Sequence, residues 1–198
     1  INQKKKVSIK DARDIVNLIK KENPTSILAH LSNQTLIKII NFSTTSKNEI
    51  LFLGKVSKKV IAYAWFIRKI DQFYIDHKQF VYEIILKVIL SLNLNLILLL
   101  IIYYFQLDII FLPKKSKKLI DNSLNLHLLA VNKKNQNKGI GTFFLKKIIN
   151  SLKNHNLISL EAFDHKAIYY YKKKFHFKEY GSKIRFGHFY KILIRKKK

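Results

Sequence analysis

The sequence has no cysteine. That excludes disulfide staples, thiolate metal sites and a cysteine nucleophile, and it leaves the redox compartment undetermined. Acidic residues are scarce too: 12 Asp and Glu stand against 38 Lys and Arg, a formal net charge of +26 at pH 7. Arginine itself is rare, with four in 198 residues. Readers of nucleic-acid bases lean on Arg for bidentate contacts. An excess built almost wholly of Lys is therefore read as compositional drift joined to a preference for a small phosphorylated ligand, and nucleic acid is disfavoured as a partner. The seven His show no metal-ligand spacing, so no metal is expected.

A long uninterrupted apolar run is also missing. A membrane span needs about 20 apolar residues. The most apolar stretch, residues 76–112, concentrates its apolar side chains in Val88–Leu90 and Leu96–Phe105. Ser91, Asn93 and Asn95 interrupt it, and Lys87 and Asp108 flank it. A helical insertion over about 76–122 is the favoured reading, with peripheral membrane contact through this patch and the nearby lysines as an open option. The first seven residues are polar and basic with no apolar stretch behind them, so no secretory leader is expected and the predicted location is cytoplasmic.

What is present is apolar material: 48% of the residues are hydrophobic, enough for a core without staples, and the length suits a single domain over 1–198. Val7 and Ile9 suggest a short first strand, with Asp11 as the cap of a following helix that carries Ile15, Leu18 and Ile19 at helical spacing. Ser32 can cap a second helix with Leu36, Ile39, Ile40 and Phe42 inward. Glu49–Gly54 and Val60–Ile67 read as a hairpin across a turn at Lys55–Lys59. After the insertion come a strand at Leu124–Val131, a polar loop, and a helix at Gly139–Leu152 with Phe143, Phe144, Ile148 and Leu152 on its apolar side. Leu157–Phe163 is the next strand, Asp164 caps a helix running to about Lys173, and Phe175–Tyr180 and Phe186–Ile194 close the chain as strands.

Chemistry concentrates in one place. Strand, polar loop, Gly139-Ile140-Gly141 and helix together make an arrangement that cradles phosphate. Two glycines let the backbone turn tightly and approach a ligand. The first helical turn presents unpaired N–H groups, which with the helix dipole favour an anion. Lys133, Lys134 and Lys138 add charge, and Thr142 adds a hydroxyl. A glycine pair alone is no more than a loop and a helix start. The stretch is neither a Walker loop, since no Gly-Lys-Ser/Thr ends it, nor a dinucleotide fingerprint, since the three-glycine spacing is absent.

The whole stretch is more specific. Leu126-His127-Leu128-Leu129-Ala130-Val131, then Asn132, then Gln136-Asn137-Lys138-Gly139-Ile140-Gly141 resembles the core motif of the GNAT superfamily of acyl-CoA-dependent N-acetyltransferases, Gln/Arg-x-x-Gly-x-Gly/Ala behind an apolar strand. Downstream, Asp164, Ala167, Tyr171 and Phe177 resemble that family's Asn-x-x-Ala-x-x-Phe-Tyr helix and the Gly-Phe start of its next strand. The resemblance implies an α/β fold, a mixed and mostly antiparallel central sheet flanked by helices, with the helical insertion between strands three and four.

It also implies a site. Acetyl-CoA or another acyl-CoA would be co-substrate, lying between the fourth and fifth strands. Leu129, Ala130 and Val131 would run beside the pantetheine arm, and the loop Gln136, Asn137, Lys138, Gly139, Ile140, Gly141 and Thr142 would hold the pyrophosphate. The acceptor would be a primary amine of a small molecule or amino sugar, attacking the thioester directly. Tyr171 would protonate the leaving thiolate. Three departures stand out. Asn125 occupies the position of the family's strand-four glutamate base and cannot take a proton, which leaves His127 and then Glu161 as candidates. His176 stands where the family has glycine before Phe, and the distance from Tyr171 to Phe177 is one residue longer. The link into Asp164 is short. The competing reading is a catalytically inactive basic protein of the same fold that binds nucleic acid or an anionic membrane surface. A homodimer is compatible with the resemblance.

Overall fold

The computed structural model describes residues 2–3, 7–24, 26–78, 80, 82–83, 86, 114–152, 154–185 and 188–197. The chain has a mixed α/β fold, a mostly antiparallel sheet flanked by helices. It divides into two compact units, residues 1–80 with 126–154 and residues 81–125 with 155–198. The core of the expected insertion, 87–113, lies outside the described residues.

In the first unit, α1 spans Ile9–Glu22. Its N-cap is Ser8, whose hydroxyl accepts the N–H of Asp11 at 3.1 Å. The expected strand at Val7 and Ile9 is therefore absent: Ile9 already lies in the helix and is exposed. Asp11 sits inside the first turn, near the positive helix end, ion-paired to Lys55. A helical turn at Ile27–His30 leads to α2, Asn33–Ser43, capped as expected by Ser32, which accepts the N–H of Thr35. Leu36, Ile39 and Ile40 point inward; Phe42 is largely exposed.

Strands β2 (Glu49–Val56) and β3 (Lys59–Ile67) form the hairpin. Their connection is shorter than expected, because Ser57 and Lys58 both take positive φ, the two-residue turn whose twist matches the strands. Close packing favours glycine at position 54: an added Cβ would meet the Phe144 ring and the Ala62 Cβ at 3.2 Å. A two-residue β1, Asn2–Gln3, pairs antiparallel with β2, and α3 spans Ile70–Asp76. Strand β4, Leu124–Val131, falls where the sequence placed it and lies beside β3, so this part of the sheet runs β1-β2-β3-β4. The core here is Ile15, Ile19, Leu36, Ile40, Leu51, Tyr63, Trp65 and Phe66, closed by Phe144 and Ile148 of α5, Ile140–Ser151.

In the second unit, α4 (Lys114–Asp121) leads into β4. Strand β5 is Leu157–Ala162, α6 is His165–Phe175, β6 is Lys178–Arg185 and β7 is His188–Lys196. Strand β6 starts later than expected because α6 runs on through Phe175 and its C-cap uses His176. The order is β5-β7-β6, antiparallel throughout, over Ile158, Leu160, Phe175, Phe177, Ile192 and Leu193.

Candidate active site

After β4 the chain makes a helical turn at Lys133–Asn135, with the Asn132 side chain accepting the N–H of Lys134. Asn137 (φ 59) and Gly139 (φ 74) both take the left-handed conformation. The second is the N-cap of α5 and is required there by its φ; a Cβ at Gly139 would meet nothing within 4 Å. No side chain caps α5. The N-cap glycine supplies no capping side chain, and the helix start, whose dipole favours an anion, lies at a place with open space beside the exposed Lys138.

Gln136 has a task the sequence did not show. Its amide nitrogen donates to the Val131 carbonyl at 2.7 Å and to Glu22 Oε2 at 3.1 Å. Glu22 Oε1 also accepts the backbone N–H of Lys133 at 2.9 Å. The end of α1 therefore clamps the loop, and the motif's glutamine shapes the loop from within. The Val131 carbonyl, one of the backbone groups expected to pair with a pantetheine arm, already accepts this bond. Within α5, Phe144, Leu145, Ile148 and Ile149 are buried. Phe143, expected inward, is exposed instead with Lys147 5.4 Å above its ring.

The acid–base candidates have distinct surroundings. Asn125 is buried and donates to Ser159 Oγ at 3.1 Å, with Ser123 donating to the same oxygen at 2.6 Å. It is part of a polar knot. Glu161 is ion-paired to the buried Lys183 at 2.6 Å, and giving it a proton would break that pair. His127 is half-buried, its ring 5.5 Å from Phe73. Tyr171 is half-buried on α6 among Tyr170, Phe175 and Phe177. Desolvation first, then the neighbouring Tyr170, raises its pKa well above phenol's ordinary value. The carbonyl of Tyr171 receives the N–H groups of His176 and Phe177, and His176 sits at φ 58. A left-handed helix end is where glycine is commonest, which accounts for the family's glycine at this place. Among the described residues no cluster of His, Cys, Asp or Glu could hold a metal.

Residues 117–177 match the profile of the acetyltransferase (GNAT) family. The match covers 61 of the 198 residues. The matched span holds β4, the glycine loop, α5, β5 and α6, so the loop and Tyr171 both lie within it. Solved structures share the fold over nearly the full length. An N-acetyltransferase from Staphylococcus aureus Mu50 is 16% identical, with 98% of this chain and 100% of that one covered and a TM-score of 0.56. The spermidine N-acetyltransferase from Vibrio cholerae, in complex with CoA and spermine, is 14% identical, with 96% and 92% covered and a TM-score of 0.59. The ribosomal-protein-S18-alanine N-acetyltransferase from Escherichia coli is 13% identical, with 96% and 90% covered and a TM-score of 0.55. No curated protein sequence matches the chain.

Proposed function

We propose that the chain transfers an acetyl or longer acyl group from acyl-CoA to a primary amine of a small molecule, an amino sugar or a polyamine being the leading classes. The observation that carries this reading is the start of α5 behind the left-handed Gly139, with Lys138 beside it. A helix start and its dipole suit a pyrophosphate, and open space at the Gly139 Cβ position gives it room. The loop from Gln136 to Thr142 would hold the coenzyme phosphates, and Leu129 to Val131 would line the arm. Binding both reactants would supply much of the acceleration through proximity. Tyr171, a phenol that carries its proton at neutral pH, is the proposed donor to the leaving thiolate. Structural likeness to a protein crystallised with CoA and spermine supports polyamines among the acceptors to be tried.

The absence of cysteine makes the test clean. A thiol reagent added to chain, acetyl-CoA and a panel of primary amines reads only the CoA thiol released. Amine-dependent thiol release with acetylated amine in mass spectra is the expected result. Thiol release that no amine accelerates, from acetyl-CoA or from longer acyl-CoAs, would overturn the proposal.

A further inference from the structure

The general base is the part of the reaction that the family motif leaves unassigned here, since Asn125 is tied to Ser159 and Glu161 to Lys183. Elsewhere in the first unit a second acid–base pair lies buried. Glu49, the first residue of β2, has a fully buried side chain with a ring nitrogen against each oxygen. Trp65 Nε1 donates to Oε2 at 2.9 Å, and His77 Nε2 lies 2.9 Å from Oε1. Three rings from different segments enclose the imidazole: Phe42 at 4.9 Å, Phe73 at 4.5 Å and Phe80 at 5.4 Å between centroids. His77 Nδ1 is the one buried side-chain nitrogen or oxygen among the described residues that has no hydrogen-bond partner.

That arrangement fixes the tautomer. A carboxylate is acceptor-only, so the nitrogen facing it carries the proton, and in the neutral ring the other nitrogen then holds a lone pair. The alternative places two lone pairs face to face and buries an N–H with no acceptor. A carboxylate on one ring nitrogen and a bare lone pair on the other is the arrangement that makes histidine a base in catalytic triads. Buried polar atoms without partners are rare in folded proteins, and a ligand is one of their established explanations. The pair also lies near β4: Phe73, in contact with His77, has the ring of His127 on it at 5.5 Å.

We propose that Glu49 and His77 are the proton-accepting dyad of the transfer reaction, with His77 Nδ1 taking a proton from the acceptor ammonium. The proposal rests on the acyl-transfer reading above. The ammonium gives one proton to Nδ1 and becomes the free amine. Its nitrogen lone pair then forms the C–N bond, the C–S bond breaks, Tyr171 gives its proton to the departing thiolate, and the nitrogen's second proton restores the phenol. The imidazolium, stabilised by Glu49, returns its proton to solvent after product leaves. Glu49 is the carboxylate paired with His77; His127 and Tyr74 lie against Phe73, which packs on His77, and Asp76 and Lys78 flank His77 in the chain.

The dyad is tested by two measurements on the full chain. Nitrogen-15 spectra of histidine-labelled protein read each ring nitrogen of His77, with n-propylamine as the probe. Expected is a protonated Nε2, an unprotonated Nδ1, and a shift of Nδ1 on adding the amine. Transfer from acetyl-CoA to n-propylamine is then followed against pH for the wild type, His77→Gln and Glu49→Gln. Gln at 77 keeps a donor for Glu49 but has no basic nitrogen. A loss in kcat of about 100-fold in both variants, with the acid limb of the profile gone and acetyl-CoA affinity unchanged, supports the dyad. A folded His77→Gln variant with wild-type kcat and pH profile overturns it, as does an Nδ1 that is protonated or ignores the amine. A wild type that binds no acetyl-CoA overturns the acyl-transfer reading instead, and the nitrogen spectra still decide whether Nδ1 meets an amine.

Discussion

His176 holds a left-handed backbone at the end of α6 with a side chain that disfavours it. That conformation costs an L-residue roughly 1–2 kcal/mol, of which glycine's extra unfolded entropy returns about 0.5–1 kcal/mol. His176→Gly is expected to stabilise the chain by about 0.5–1 kcal/mol and raise Tm by about 1–3 °C, measured by circular dichroism. Tyr63 and Tyr171 bear on pH. Burial raises both phenols well above the ordinary 10.0, Glu22 adding to the effect on Tyr63 and Tyr170 to that on Tyr171. The native state then holds protons that the unfolded chain releases above pH 10, so the stability they supply is complete below that pH and falls as pH rises beyond it. Denaturant melts at increasing alkaline pH should show this decline. In Tyr63→Phe the slope should be shallower, and an equal slope would refute the assignment.

At the scale of elements, the loop from Gln136 to Gly139 is held by α1 through Glu22 as well as by its own strand. Glu22→Ala removes two hydrogen bonds that fix the loop, each worth about 0.5–1.5 kcal/mol net. Acyl-CoA affinity should weaken by about fivefold, with Tm little changed. Calorimetric titration of this variant checks it. Much at this scale was legible in the sequence. The bounds of β4 came out as read and α5 within a residue, because an alternation or a period of 3.6 ran up against glycines and Asn. The first strand was misread because Val7 and Ile9 alternate like a strand, whereas Ser8 between them caps a helix. Phe143 was misread because helical spacing cannot tell an inward ring from one shielded by a lysine. The clamp on Gln136 joins residues more than a hundred positions apart, and the Glu49–His77 pair depends on where α3 lies against β2. Neither leaves a local signal; a carboxylate opening a buried strand was the nearest hint.

For the whole molecule, a net charge of +26 on 198 residues is repulsive in any compact state. Salt should therefore raise Tm, as screening relieves that repulsion. A melting series in sodium chloride measures this, and a flat or falling series would mean that the charge is already neutralised by internal ion pairs. Moderate salt should weaken acyl-CoA binding without abolishing it, because N–H donors at a helix start do not screen away as surface lysines do. No helix among the described residues is long and apolar enough to cross a membrane. The central claim concerns the loop at the start of α5. Its most direct test is titration of acetyl-CoA into the folded chain by calorimetry, beside Gly139→Val, which cannot readily take the left-handed turn. The account predicts saturable binding by the wild type and a loss of about tenfold or more in the variant, with both chains folded at the temperature of the titration. A folded wild type that binds neither acetyl-CoA nor a longer acyl-CoA, or a variant that binds as well as the wild type, would contradict it.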